Sequence, residues 1–252
     1  MGRNLDVRQK PPLGSYINWE HQLAQGLVDC WLFNEGAGTR ANNLCFGSAV
    51  TPTSPIWRDN GIAMSGGSAS IIPFTASASY VVDAVPLAAD SYAQLVMASA
   101  ASNGTTGPTF NSDGLDWYCS LSEAGIARTC YRFGSPKWVV GARATKAMVY
   151  DSLAATLNLY TNGRLGQGSL TGSVPSSQTE QPAISFNPDS KFRFFRLLRY
   201  GRVLSAGELA QLYYEPYCFI DWPVARFWSI PAAPGGITYI PSLWHQQTVE
   251  AF

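Results

Sequence analysis

The sequence predicts an all-β sandwich with one short helix near its C-terminal end and extended arms at both termini. Three observations carry this prediction. Apolar residues come in short runs, cut by 23 Gly and 16 Pro scattered without period, the punctuation of many brief strands. Paired runs flank turn residues, at Glu123-Ala124-Gly125 and again at Asn162-Gly163. A single segment, beginning at Ser205, carries a capped helical pattern.

The elements follow in chain order. Residues 1–25 hold Pro11-Pro12 and no clear period, and read as an extended arm. From Gly26 a buried strand runs through Leu27, Val28, Cys30, Trp31, Leu32 and Phe33, stopped by Gly36-Ala37-Gly38. Residues 62–64 and 69–72 read as two strands joined by a Ser65-Gly66-Gly67-Ser68 hairpin turn, and residues 80–82 and 92–97 as further strands. Residues 117–121 and 128–132 make a hairpin, residues 138–143 and 146–150 another pair, and residues 157–160 end at an Asn-Gly turn. Residues 192–200 form the last long strand.

Ser205 then caps the helix, with Glu208 three residues on to complete a capping box and Leu204 placed to staple onto Leu209. Leu209, Leu212 and Tyr213 share one face, and Pro216 ends the helix. Residues 216–252 contain five prolines and the aromatics Phe219, Trp222, Phe227, Trp228, Tyr239 and Trp244, but no periodic segment. Such a tail either folds back on the sandwich or packs on another chain. With Tyr16 and Trp19 of the first arm, these six aromatics are the candidate interface residues, because aromatic anchors are what protein interfaces use. The expected division is an arm at 1–25, a domain at 26–215 and an arm at 216–252.

Composition narrows the function. Of the 252 residues 46% are apolar and 13% charged, about half the charge of an ordinary domain. Seventeen basic residues balance seventeen acidic ones, which argues against a nucleic-acid binder, a polybasic membrane-surface protein and a disordered chain. Near-zero net charge favours association. No apolar run is long enough to span a membrane, and the start Met1-Gly2-Arg3-Asn4-Leu5-Asp6 lacks the apolar core of a secretory signal. The five cysteines Cys30, Cys45, Cys119, Cys130 and Cys218 lack CxxC spacing. They read as buried free thiols from a reducing compartment, with a Cys119–Cys130 pairing across the hairpin the one alternative.

Three segments in order resemble the concanavalin A-like jelly rolls, specifically the laminin-G-like (LamG) domains. They are Gly26-Leu27-Val28-Asp29-Cys30-Trp31-Leu32-Phe33-Asn34-Glu35-Gly36-Ala37-Gly38, then Leu157-Asn158-Leu159-Tyr160-Thr161-Asn162-Gly163-Arg164, then residues 195–209 around Tyr200-Gly201-Arg202-Val203-Leu204-Ser205. The flanks, Pro11-Pro12-Leu13-Gly14-Ser15 and the LYYEPYCFI run after the helix, look like those of LamG-like proteins encoded by tailed phages. That resemblance implies a structural component of the virion, assembled in the host cytoplasm, that decorates a head or forms part of a tail.

Enzymatic readings find little footing. Jelly-roll glycosidases carry paired carboxylates on one strand in an ExDxE pattern, which is absent here; Asp113 with Asp116 and Glu20 with Asp29 are the nearest pairs. Glu35 reads as an acceptor for turn amides. His21 and His245 sit in separate arms, so neither a triad nor a histidine metal site is indicated. Calcium remains a candidate at Asn111-Ser112-Asp113-Gly114-Leu115-Asp116, where Asx-turn chemistry explains the residues at least as well. Trp57, Trp117 and Trp138 could stack on sugars, but core packing is the ordinary role of sandwich tryptophans. The reading is therefore a non-enzymatic structural protein of a phage particle, with no required cofactor. Its expected partners are itself, as a symmetric homo-oligomer such as a trimer, and virion proteins such as the major capsid protein. The alternative is a carbohydrate-binding adhesion module.

Overall fold

The computed structural model describes residues 9–45, 47–74, 76–88, 92–97, 108–113, 116–121, 129–176, 180, 182–187 and 189–223. Its strands are β1 (Tyr16–Ile17), β2 (Leu27–Trp31), β3 (Thr51–Thr53), β4 (Ile56–Arg58), β5 (Gly61–Ala63), β6 (Gly66–Ser70), β7 (Ala78–Pro86), β8 (Tyr92–Met97) and β9 (Thr109–Asp113). They continue as β10 (Asp116–Leu121), β11 (Thr129–Ser135), β12 (Ala144–Asp151), β13 (Thr156–Thr161), β14 (Arg164–Leu165), β15 (Gln167–Thr171), β16 (Ala183–Asn187) and β17 (Phe192–Tyr200). The helix α1 (Ala206–Tyr214) and a short β18 (Ile220–Asp221) follow. This is the all-β sandwich with one short helix near the C-terminal end that the sequence predicts.

Two antiparallel sheets face each other. One runs β15-β11-β10-β9-β8-β16-β6-β3 and the other β14-β13-β12-β7-β17-β5-β4, with β2 also paired to β17. The pleat sends alternate residues to opposite faces. Ala78, Tyr80, Val82 and Ala84 of β7 therefore join Trp31, Phe110, Trp117, Trp138, Phe192 and Phe194 in the core between the sheets. Val81 points the other way, joining Cys30, Ala147, Val149, Leu198 and Tyr200 in a second core on the outer face of its sheet. That outer face is why β7 is buried along its whole length.

The second core is closed by the helix and by both chain ends. Leu204, Leu209 and Leu212 come from the helix region, Ile17, Leu23 and Ala24 from the N-terminal side, and Tyr217, Phe219 and Ile220 from beyond the helix. β1 pairs with β18, Tyr16 opposite Asp221 and Ile17 opposite Ile220. The Asn18 amide donates to the Phe219 carbonyl at 2.9 Å, and the Tyr200 hydroxyl donates to the Leu23 carbonyl at 3.0 Å. Residues 16–24 and 216–221 thus form a strap on their own sandwich, where the sequence reading has arms that bind neighbouring subunits. The unit Met1–Trp222 contains sheets, helix and strap; Pro223–Phe252 form a second unit.

The capping box forms as expected: the Glu208 amide donates to Ser205 Oγ at 3.3 Å and the Ser205 amide to Glu208 Oε2 at 2.8 Å. Two other expectations fail. Ser65-Gly66-Gly67-Ser68 is no hairpin turn, because β5 and β6 belong to different sheets and Gly66–Ser68 lie within β6. Residues 138–143 form no strand; Trp138 is a core residue, and the segment turns where the Ala142 amide donates to the Val139 carbonyl. Both errors come from reading local composition where the crossing between sheets is a tertiary event.

The hairpin β10–β11 is present with Cys119 opposite Tyr131 and Cys130 opposite Ser120. That register is one place away from setting the two cysteines opposite each other, and Cys119 is buried in the core. Cys30 is also buried and free.

Candidate functional site

A cleft lies between the last turn of α1 and the β13–β14 hairpin. The hairpin turn carries Asn162 at φ 50° and Gly163 at φ 75°, two successive left-handed residues as a tight I′ turn requires. Asn162 is fixed at both ends: its amide donates to the Thr145 carbonyl at 2.8 Å, and its Oδ1 accepts from the Thr145 amide at 2.9 Å. Gly163 lets the helix approach, since a Cβ there would stand 2.7 Å from Ala210 Cα. The result is a cleft of about 530 Å³ lined by Pro136, Thr161, Asn162, Arg164, Leu165, Gly166, Gln167, Tyr213 and Tyr214. The Tyr213 and Tyr214 rings meet edge-on with centroids 5.0 Å apart. Tyr214 is 52% exposed, so Tyr213 and Tyr214 form a cleft wall. Tyr213 is only half-buried, not the core residue its helical spacing suggests.

Against Thr161 and Pro136 of the lining lies a buried amine. Lys146 of β12 is fully buried, with its Nζ donating to Thr161 Oγ1 at 3.0 Å and to the Pro136 carbonyl at 3.1 Å. The Trp117 and Trp138 rings each lie 5.0 Å from the amine. Burial pushes the Lys146 amine down to about 7, because a desolvated ammonium is unfavourable.

A smaller hollow of about 160 Å³ shares Tyr213 and is lined by Asp83, Arg143, Ala144, Thr145 and Pro216. Arg143 grips Asp83 with both arms of its guanidinium, at 2.8 and 2.6 Å, and donates to the Tyr217 hydroxyl at 3.2 Å. Arg196 donates to the Pro216 carbonyl and, at 3.1 Å, to the Leu212 carbonyl. This arginine satisfies acceptors that the helix end leaves open.

The most concentrated ionic cluster is structural. Arg199 is fully buried and holds Asp29 Oδ2 and Glu180 Oε2 at 2.6 Å each and the Ile72 carbonyl at 2.8 Å. Asn43 donates to Asp29 Oδ1 at 2.7 Å, the Phe74 amide to Glu180 Oε2 at 2.9 Å, and the Tyr80 hydroxyl to Glu180 Oε1. The Phe74 ring lies 4.3 Å from the guanidinium. Burial pushes Glu180 up, and burial together with the Glu180 charge pushes the Tyr80 hydroxyl up. Asp29, Tyr80, Glu180 and Arg199 are each at most 2% exposed. Every carboxylate oxygen is satisfied, so the group fastens β2, β7 and β17 to the loop before β16. The sequence reading singled out only Asp29 of this constellation, as half of a carboxylate pair with Glu20; Asp29 and Arg199 stand 170 residues apart.

The other sequence candidates are placed as follows. Glu35 Oε1 accepts the Asn42 amide at 2.6 Å, the turn-acceptor role expected of it. His21 caps a short 3-10 turn, its Nδ1 accepting the Leu23 amide at 3.1 Å. Asp113 and Asp116 are opposite partners at the facing ends of β9 and β10, where the sequence reading has a loop over residues 111–116, and Asp116 pairs with Lys137 at 3.3 Å. Among the described residues, no three His, Cys, Asp or Glu gather as metal ligands. Trp117 and Trp138 are core residues; Trp57 packs against the core and donates to the Gly38 carbonyl at 2.9 Å.

Of the eight candidate interface aromatics, Tyr16 and Trp19 are about half exposed and Trp222 is half-buried. Phe219 is a correction. It is fully buried in the second core of its own chain, because β1–β18 pairing and the Asn18–Phe219 hydrogen bond fold its segment inward. Phe227, Trp228, Tyr239 and Trp244 lie outside the described residues.

No protein-family model matches the chain, and no curated protein matches it in sequence. Solved structures match its fold. A Trypanosoma rangeli sialidase, in complex with 2,3-difluoro-KDN, superposes with TM-score 0.58 at 14% identity, over 85% of this chain and 37% of that one. The structure titled "Cell entry of botulinum neurotoxin type C is dependent upon interaction with two ganglioside molecules" superposes with TM-score 0.59 at 7% identity, over 75% of this chain and 51% of that one. The botulinum neurotoxin serotype G binding domain gives TM-score 0.59 at 13% identity, over 76% and 51%. The chain therefore spans about a third to a half of these proteins. Likeness at such identities establishes a shared β-sandwich fold.

Proposed function

We propose that the sandwich is a non-enzymatic carbohydrate-binding module whose site is the cleft between Tyr213, Tyr214 and the β13–β14 hairpin. The observation that carries this reading is the cleft itself: two aromatic side chains beside Asn162, Arg164 and Gln167 on a rigid turn. Sugar sites combine apolar faces with a few fixed polar groups. The fold likeness to a neurotoxin described as depending on two gangliosides supports the same reading. A non-enzymatic role is supported by the buried Asp29–Arg199–Glu180 cluster, whose oxygens are all occupied and closed to substrate. The test is a glycan array followed by titration of the best ligand. Tyr214→Ala should weaken binding at least about tenfold, the loss of roughly 1.4 kcal/mol expected of one stacking contact. Unchanged affinity in the Tyr213→Ala/Tyr214→Ala double variant would remove the cleft from consideration.

A second role is compatible with the first and rests on a different surface. Tyr16 and Trp19 are exposed beside the β1–β18 ribbon, and the Pro- and aromatic-rich segment 223–252 continues from it. This patch supports anchoring of the module to neighbouring copies or to the capsid lattice of a phage virion. Co-purification with intact particles, at a stoichiometry near that of the capsid subunit, is the expected result for a decorating protein. A strictly monomeric full chain that never accompanies particles would leave the glycan reading alone.

A further inference from the structure

Resting on the saccharide reading of the Tyr213/Tyr214 cleft, we propose that its ligand is acidic: a carboxylate-bearing sugar engaged by Arg164, with the buried Lys146 amine set behind Thr161 and Pro136 of the lining. The lining contains one formal charge, the guanidinium of Arg164, and no carboxylate. Arg164 is exposed and makes no ion pair among the described residues. Its planar fork is thus open to a planar carboxylate, the geometry guanidinium groups recognise best.

Lys146 adds to the asymmetry from inside. Its amine bonds to Thr161 and Pro136, both of which line the cleft, so a buried cationic group stands one residue's thickness from the ligand space. No carboxylate lies within ion-pair distance of it among the described residues. A cation in a desolvated setting gains from an opposite charge nearby.

Of the neighbouring carboxylates, Asp83 of the adjoining hollow is gripped by Arg143, Asp116 is paired with Lys137 and Glu208 with Arg202, while Glu215, which follows Tyr214 at the helix end, does not line the cleft. The negative end of α1 would repel an anion, but Arg196 holds the Leu212 and Pro216 carbonyls there. The chain as a whole has zero formal charge, so the positive cleft is a local feature and no reflection of a basic protein.

Calorimetric titration of the full chain with a galacturonic acid trisaccharide, a neutral galactose trisaccharide and inorganic sulfate tests this. The acidic sugar should bind at least about tenfold more tightly than the neutral one. Arg164→Gln should erase that preference by weakening the acidic sugar about tenfold more than the neutral one. Lys146→Met, if folded by circular dichroism, should reduce the preference as well; Arg164, on the surface, carries the test if that variant does not fold. Equal affinity for both sugars would overturn the acidic ligand and leave the saccharide site standing. Preference retained in Arg164→Gln would overturn the assignment of the cation. Sulfate competing at the same concentration as the acidic sugar would mean a generic anion site and would also overturn the proposal. Failure of every saccharide to bind would remove the site altogether.

Discussion

Arg199 shows how much one side chain can decide when it is buried. Its guanidinium neutralises Asp29 and Glu180 in an enclosed space, and it stacks beside Phe74. Replacing it with methionine keeps the volume but leaves two carboxylates without their counter-charge, a loss of about 3–5 kcal/mol. A urea midpoint unchanged in Arg199→Met would contradict that role. Lys146 gives a pH signature of opposite character. Its amine is lowered to about 7 in the folded state from the ordinary lysine value of 10.5, so between those values the unfolded chain binds more protons. Stability contributed through this group rises as pH increases from 7 towards 10 and is lost as pH falls through about 7. The expected result is a urea midpoint that climbs from pH 7 to 9 more steeply in the wild type than in Lys146→Met; parallel profiles would refute it. Neither group is legible in the sequence. An arginine in an apolar strand and a lysine in another look alike until their partners are known.

At the scale of elements, local chemistry is most legible where backbone geometry itself is demanding. Asn162-Gly163 announces a tight turn, and the turn is there with both φ values positive. The sequence did not show that Gly163 is also pressed against Ala210 of the helix. Gly163→Ala therefore meets two obstacles, strain and a clash, and should cost about 2 kcal/mol or more. A thermal scan with no fall in melting temperature would show that the turn or helix can give way. Ser205 and Glu208 spell out the helix start; Ser205→Ala should cost about 1 kcal/mol, read from the denaturation midpoint. Where the chain crosses between sheets, as at residues 65–68, a glycine-rich run fits a turn and an edge strand equally well. Only the pairing of β6 with β3 and β16 resolves it.

The unit Met1–Trp222 is a sandwich with a third layer. The outer face of one sheet is covered by α1 and by the two chain ends, so Ile17, Leu23, Phe219 and Ile220 are core residues. Deleting residues 1–25 would uncover that face and remove the partner of Tyr200. At about 1.5–3 kcal/mol for each large apolar side chain, the loss from Ile17 and Leu23 alone comes to at least about 3 kcal/mol. The truncated chain should unfold at markedly lower urea or fail to stay soluble. A truncated protein as stable as the full chain would mean that the strap is dispensable.

The sequence by itself determined the fold class, the single helix with its cap, and the turn that builds one side of the cleft, because these follow from nearest-neighbour rules of backbone geometry and from strand alternation. Its low and balanced charge argues against whole classes of partner. Tertiary structure decided what those rules leave open: that residues 16–24 and 216–221 pack on their own sandwich, that Asp29, Glu180 and Arg199 meet, and that Tyr213 and Tyr214 face Arg164 across a cleft backed by Lys146. The physical reason is range. A charge-poor, aromatic arm satisfies the same local preferences whether its apolar face is covered by another chain or by its own sheet. The vacant outer face of that sheet settled the choice for these residues.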